Sequence, residues 1–422
     1  MADFNSITDL ARDIKGRLDA TTTKKKVVAL YAFNATGKTR LSNELSWINE
    51  NWGVLLAEDW DALLTENGDQ IEIENWKIKT LCYNAFLEDM FTWDNENYIL
   101  KFNKDSWIIK LVIDEGLEAD IVDNFKDVIN SNGLKLEPSF DFTKWEVAFK
   151  ITSGDDASAT NIKISKGEES IFIWSVYYTL LEAAIAELIL VKENRSTDIF
   201  DDLEYVIIDD PVSSIDDTRI IALAVKVVNL IKNDHIAEKL DDKKTELAQQ
   251  PFTPEYIESR IEEIRAESYT EPNLKFLITT HHALYFNVLV NSFGSEKGIK
   301  FTSLSLSRDN NILRLVEQKW DSPFSYHLSV KELIQKAIQS DLIEKYHFNL
   351  FRALLEKTSN FLGYKNWADC IVWERKQEFI RLLNLYSHSR LSDLESRELS
   401  NGDKVLFQDT FNAFIQSFNW SN

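Results

Sequence analysis

Lys38 and Thr39 end the segment AFNATGKT (residues 32–39), which follows the pattern G-x-x-x-x-G-K-[ST] except that Ala32 stands at the first glycine. Between a strand and a helix, such a loop turns successive backbone N–H groups toward phosphate oxygens. Its lysine pairs with the β/γ oxygens and its hydroxyl ligates Mg²⁺. Asn34, Gly37, Lys38, Thr39 and Arg40 are therefore candidates for holding ATP or GTP. Farther on, the apolar run YVIIDDP (205–211) ends in two carboxylates. Asp209 is placed to hold Mg²⁺ through water, with Thr39, and Asp210 to polarise an attacking water. A plain strand-to-turn stop fits the same residues. FLITTHH (276–282) ends in two histidines, of which His281 is the candidate γ-phosphate sensor and His282 the competing choice. A satisfied histidine at a strand end is the alternative.

A second group of polar residues lies near the C-terminus. NLFRALLEK (349–357) puts Arg352 and Glu356 four apart, adjacent on a helix, and FIRLLNLYSHSR (379–390) puts Arg381, Asn384 and His388 on one helical face. RNA cleavage by a 2′-hydroxyl needs that proton removed, the leaving 5′-oxygen protonated, and charge on the five-coordinate phosphorus stabilised. His388 and Glu356 have the chemistry for the proton transfers, Arg352 for a bidentate grip on phosphate, and Arg381 for a second cation. An i,i+4 surface ion pair beside an interior histidine also explains these residues.

The elements that must position these groups follow from the hydrophobic pattern. VVALYAF (27–33) reads as a strand and RLSNELSWINE (40–50) as a helix, while YVIIDD (205–210) and KFLITT (275–280) read as buried strands. FTSLSLSRDNNILRLVEQ (301–318) reads as two strands around an Asp-Asn-Asn turn. Residues 51–160 mix strand-like pieces with the acidic, aromatic YNAFLEDMFTWDNENY (83–98), and 233–268 reads as a solvated insertion helix. From about residue 328 the pattern is helical. The expected architecture is an α/β nucleotide-binding domain at 1–318, with insertions at about 51–160 and 233–268, and an all-α domain at 319–422.

Bulk properties narrow the function classes. The chain of 422 residues exceeds the usual single-domain size, and its 44% apolar content with 18 glycines and prolines describes a globular, helix-rich protein. Cys82 and Cys370 are too few for a disulfide framework and read as buried thiols in a reducing compartment. A net charge of −22 argues against a general nucleic-acid coat. Residues 331–422 hold 12 Lys/Arg against 12 Asp/Glu, so the whole excess lies in residues 1–330. The opening MADFNSITDLARDIKGRLDA lacks the pattern of a secretion signal, so the protein is expected in the cytoplasm. Ile171–Val191 is long enough to cross a bilayer, but Glu182 and Glu187 near its middle read it as a buried helix and no membrane partner is expected.

The order of the motifs resembles that of ABC ATPases. ISKGEES (164–170) is similar to their LSGGE signature, with Ser165, Gly167 and Glu168 keeping the pattern and Lys166 departing from it. SSID (213–216) resembles the loop that crosses an ABC dimer interface through its aspartate, here Asp216. No glutamine of the ABC Q-loop can be assigned. Because one chain's signature completes the other's phosphate site, the resemblance implies at least a homodimer. Two departures bear on chemistry. Ala32 and Ala35 stand where glycine's access to positive φ is commonly used, and Asp210 is one methylene shorter than the usual glutamate. Slow hydrolysis, suited to a timer, is the expectation.

The run LYAFNATGKTRLS (30–42), YNAFLEDMFTWDN (83–95) and the early signature are further similar to the PrrC-type anticodon nucleases. That family uses an Arg-x-x-x-Glu pair followed some thirty residues later by histidine, matched here by Arg352, Glu356 and His388. The Arg381-to-His388 element also resembles HEPN ribonucleases, whose sites form between two protomers. The resemblance implies an all-α HEPN-like domain. It also implies transfer RNA cleavage in the anticodon loop, an anti-phage role, and a trigger or restraint such as a type I restriction complex or a phage product. Two rivals remain. One is an ABC-type defence ATPase that senses infection and activates a separate effector nuclease. The other is an SMC-like ATPase, which the absence of heptads in residues 51–160 disfavours.

Overall fold

The computed structural model describes residues 2–20, 25–48, 78–84, 91–104, 106–129, 136–151, 161–212, 215–233, 235–309, 312–318, 326–387 and 399–418. The chain divides into two compact units, Met1–Pro323 and Phe324–Asn422.

The first unit is mixed α/β. Its elements run β1 (Ala2–Phe4), α1 (Ile7–Asp19), β2 (Lys25–Ala32), α2 (Lys38–Ile48), β3 (Thr80–Tyr83), β4 (Phe91–Asp94), β5 (Ile99–Phe102), α3 (Trp107–Asp114), α4 (Glu118–Ile129), β6 (Leu136–Asp141) and β7 (Glu146–Ile151). They continue as α5 (Lys166–Leu188), β8 (Tyr205–Asp209), α6 (Asp217–Lys232), α7 (His235–Ala248), α8 (Pro254–Ser268), β9 (Lys275–Thr280), α9 (Ala283–Gly294), β10 (Ile299–Asp309) and β11 (Ile312–Glu317). Seven strands form one sheet in the order β1-β11-β10-β2-β9-β8-β3. β10, β2, β9, β8 and β3 are mutually parallel, so the apolar runs that read as buried strands are covered on both faces. Register places Tyr31 beside Thr280 and Asp209 beside Thr279, which brings the chemistry-bearing strand ends to one edge. α1 starts at Ser6, whose hydroxyl accepts from Asp9 N, and buries Leu10, Ala11, Ile14 and Leu18 into the core built on β2.

A second, four-stranded antiparallel sheet has the order β4-β5-β7-β6. Helix α5 serves both sheets, which explains its apolar composition all round. Phe172 packs against Phe91, Phe140 and Phe149 of the smaller sheet, while the Tyr177 hydroxyl faces the carbonyls of Leu81 and Ile207 in the larger one. It is long and apolar enough to span a bilayer, yet most of it is buried in protein. Its carboxylates have protein partners: Asn124 donates to Glu182 at 2.7 Å, and Ser196 donates to Glu187 through backbone and hydroxyl at 2.8 Å.

Two expectations need correction. The segment 51–160 is not wholly an insertion, because Thr80–Tyr83 is the edge strand β3 of the main sheet. Cross-strand pairing to β8 over a hundred residues away decides this, and local pattern does not. The charged segment 233–268 is two helices. α7 ends at Ala248, and Pro254 starts α8, capped by Thr253. Ion pairing of Lys244 with Glu258 links the two.

The second unit is helical among its described residues: α10 (Tyr326–Gln339), α11 (Lys345–Leu362), α12 (Lys376–Ser387) and α13 (Asn401–Ser417). Its core is aromatic, with Phe348, Phe351, Phe379, Phe407, Phe411 and Phe414 fully buried. Gly363 ends α11 in the left-handed conformation, φ 72°, and the chain folds back through a short 3₁₀ turn at Trp367–Cys370.

Candidate functional site

β2 ends at Ala32 and α2 begins at Lys38, leaving residues 33–37 as a loop whose Thr36 N–H returns to the Phe33 carbonyl at 3.3 Å. Ala35 and Gly37 lie at positive φ, 62° and 111°. Ala32 does not, correcting one expectation. It pairs with Leu306 as a regular, fully buried strand residue, so a methyl group fits there without strain. At Gly37 a Cβ would come within 3.2 Å of Ile7 Cδ1, because α1 lies against the loop. Asn34 and Arg40 are exposed.

The Lys38 ammonium is buried and held from several sides. It donates to the carbonyls of Ala32 (3.1 Å) and Phe33 (3.4 Å) and to Asn34 Oδ1 (3.4 Å), and it pairs with Asp210 at 3.2 Å. Asp210 follows the last residue of β8 with φ 54°. Its carboxylate accepts from the backbone N–H of His281 at 3.1 Å and meets His281 Nδ1 at 2.6 and 2.7 Å. Burial alone would raise the Asp210 pKa, but the His281 hydrogen bond and the Lys38 charge outweigh it and hold the group below its ordinary value. Its neighbour behaves oppositely. Burial pushes Asp209 up, against hydrogen bonds from Thr279 and Thr39. Two adjacent carboxylates are thus split, one favouring its proton and one its charge.

These positions fit a nucleoside triphosphate with Mg²⁺. Two left-handed residues before a helix N-terminus turn amides toward a phosphate, Lys38 already contacts acceptors with its ammonium, and Thr39 and Asp209 share a hydrogen bond where both would face the cation. Of the sequence-derived residues, the fold brings together Lys38, Thr39, Asp209, Asp210 and His281.

Ser165, Gly167, Glu168 and Asp216 do not join them: among the described residues, no hydrogen bond or ion pair links these four to loop 33–39. Locally they act as caps. Ser165 and Glu168 form a reciprocal capping box at the start of α5, and Asp216 accepts from Thr218 N and Arg219 N at the start of α6. Ser165 and Asp216 are exposed, Glu168 is half-buried and Gly167 is buried. Ser213 and Ser214 lie outside the described residues.

In the helical unit, Arg352 Nε donates to Glu356 Oε1 at 2.9 Å, as the four-residue spacing predicts. Its Nη1 donates to Asn384 Oδ1 of α12, also at 2.9 Å, and the guanidinium carbon lies 4.9 Å from the centroid of the Trp367 ring. Arg381 is exposed, one turn before Asn384 on the same helix. His388 lies just past the end of α12, outside the described residues. The nearby His347 is 2% exposed and is used as a cap: its Nδ1 accepts from Glu344 N, and burial lowers its pKa. Sequence reasoning grouped Asn384 with Arg381 and His388 and not with Arg352, and it missed Trp367, whose only signal was an aromatic shortly after a helix-ending glycine.

No protein-family model matches the chain. An anticodon nuclease of Escherichia coli is 36% identical over 412 residues, which covers 93% of this chain and 89% of the relative. Among solved structures, an SMC ATPase studied for ATP-driven dimerization and DNA-stimulated activation aligns with 54% of this chain and 97% of its own at 9% identity and a TM-score of 0.27. An SMC head bound to the C-terminal winged-helix domain of ScpA aligns with 71% of this chain and 91% of its own at 8% identity and a TM-score of 0.31. Scores this low establish no relationship.

Proposed function

The chain belongs to the anticodon nuclease family, and on that premise we infer that it cuts a transfer RNA in the anticodon loop, under control of a nucleotide bound at residues 33–39. The observation that carries this reading is the guanidinium of Arg352, held by Glu356 and Asn384 at 2.9 Å each on the surface of the helical unit. An arginine fixed in this way presents donors at one place, as charge building on a phosphorane requires.

Arg352 binds the scissile phosphate, with Arg381 as a second cation. Glu356 and His388 exchange protons with the 2′-hydroxyl and the leaving 5′-oxygen, leaving a cyclic phosphate. These residues supply every proton transfer and the charge stabilisation, so the cleavage itself asks for no metal.

The nucleotide site belongs to an ABC-type arrangement. ATP or GTP with Mg²⁺, when bound, supplies a hydrolysable γ-phosphate and a cation that Thr39 and Asp209 would hold. Lys38 exchanges its bond to Asp210 for phosphate oxygens, which frees Asp210 to orient water and His281 to meet the γ-phosphate. Ser165 and Asp216, exposed at the starts of α5 and α6, with the half-buried Glu168 and the backbone of the buried Gly167, would serve a second copy, so the nucleotide couples dimerisation to the nuclease. The activity fits a cytoplasmic anti-phage effector, restrained by a partner such as a type I restriction complex or released by a phage product.

The test is sequencing of transfer RNA from cells briefly expressing the wild type, His388→Ala and Lys38→Ala. Discrete anticodon-loop breaks that vanish with His388→Ala support the reading, and the Lys38→Ala sample reports whether nucleotide activates or restrains. Intact transfer RNA in all three, even during phage infection, overturns it in favour of an ATPase with a separate effector.

A further inference from the structure

We propose that Trp367 and Asn384 are positioning residues for Arg352, clamping its guanidinium so that the Nη2 side faces the scissile phosphate. The proposal rests on the reading above of Arg352 as the phosphate-binding group.

A guanidinium carries five N–H donors in a fixed plane on a flexible stem, so its direction must be set from outside. Here three contacts from three segments set it. Glu356 takes Nε–H from within α11, Asn384 takes one Nη1–H from α12, and the guanidinium carbon sits over the Trp367 ring. Three non-collinear contacts fix the position and tilt of a rigid plane; the Glu356 pair alone would leave it free to swing. Both Nη2 protons and one Nη1 proton then have no protein acceptor among the described residues. They are what a phosphate would take.

The clamp is built into the fold. After Gly363, the Tyr364 N–H returns to the Ser359 carbonyl at 2.9 Å and the Ser359 hydroxyl to the Tyr364 carbonyl at 3.3 Å. Asn366 caps the next turn through Ala368 N. Fully buried Cys370 then docks its thiol on the Leu355 carbonyl of α11 at 3.6 Å. Trp367 is thereby pinned over the α11 turn that carries Arg352. Asn384 is set on the other side by the buried Phe379 and Leu383 of its own helix.

The test uses the full chain and two readouts. The first is the rate at which phenylglyoxal modifies Arg352, followed by peptide mass spectrometry, which needs no RNA. The second is anticodon-loop cleavage of purified transfer RNA, resolved into kcat and KM. Trp367→Ala and Asn384→Ala should each speed Arg352 modification several-fold and lower kcat about 10- to 100-fold with KM changed little, the size expected when a reacting group is misplaced by an ångström. Trp367→Phe and Asn384→Asp, which keep a ring face and an acceptor oxygen, should recover most of both. Unchanged modification rates overturn the clamp whatever the activity does. Faster modification with undiminished kcat overturns its role in positioning. Should Arg352→Ala cleave as well as the wild type, the nuclease reading of Arg352 fails, and the proposal with it.

Discussion

The two polar centres of this chain are built in opposite ways. In the α/β unit, Asp209, Asp210 and His281 come from strand ends that sheet register makes neighbours, Lys38 comes from the helix start that follows β2, and Lys38 and Asp209 are 6% and 2% exposed. In the helical unit, Arg352 and Glu356 are neighbours by helical spacing alone, Arg352 half-buried and Glu356 exposed, over a phenylalanine core. Burying charges makes each depend on its partner, since an uncompensated charge away from water is costly. Surface charges over a core can be exchanged without disturbing what lies beneath. The buried centre therefore suits a switch whose state is felt by the whole unit, and the exposed one suits chemistry on a large ligand.

The largest effect that tests this contrast is on activity. On the reading of Glu356 as a proton-transfer group, Glu356→Gln should reduce transfer RNA cleavage about 1000-fold, while the unfolding free energy changes by less than about 1 kcal/mol because Glu356 is exposed and the amide oxygen can still accept from Arg352. Denaturant melts and cleavage rates on the same sample decide it; a large stability loss would erase the contrast. Next comes Lys275→Met. Lys275 is 5% exposed and pairs with Asp19 and Glu204; its removal leaves Asp19 to Lys15 and Tyr205 and leaves Glu204 without this cation, and because both carboxylates are partly exposed it should cost the α/β unit about 1–2 kcal/mol, read as a lower urea midpoint.

Acid should act through the same unit. Burial disfavours the Asp19 carboxylate, but hydrogen bonds from Lys15, Lys275 and Tyr205 outweigh it and hold its pKa low, as His281 and Lys38 do for Asp210. A depressed pKa contributes stability above the unfolded value, near 4, and loses it as pH falls toward the folded value. Asp209 has the reverse sign. Because burial raises its pKa, Asp209→Asn should make the apoprotein more stable at pH 7, with the gain disappearing below about pH 4. Urea midpoints from pH 3 to 7 test both; a pH-independent gain in the variant would refute the assignment. The smallest effect is Ala35→Gly, which relieves a left-handed alanine at φ 62° and should stabilise by about 1 kcal/mol, visible as a small rise in melting temperature.

What could be read from residues alone follows the same division. The loop, its lysine and the strands ending in Asp209 and Thr280 were legible because buried parallel strands write themselves as unbroken apolar runs and the loop has its own spacing. Arg352 and Glu356 were legible because a helix makes neighbours of residues four apart. The Lys275 contact with Asp19 joins residues 256 positions apart and left no local trace. Trp367 became a partner of Arg352 only through the reversal after Gly363. Ala32 misled for a different reason: its motif position commonly uses glycine's access to positive φ, whereas the chain there is still strand.

The sheet order also carries a consequence for synthesis. β2 lies between β9 and β10, and β1 pairs with Leu313–Leu315 of β11. On a ribosome, the strand preceding the phosphate loop therefore waits for more than two hundred further residues before either neighbour emerges, and Ala2–Phe4 waits for about three hundred. Until then an apolar strand with two unpaired edges is open to non-native pairing. The helical unit is translated after the α/β unit. Nascent chains halted before residue 275 should accordingly be protease-sensitive at 25–32, and protection should arrive late and together, with the frame closed before the helical unit is made.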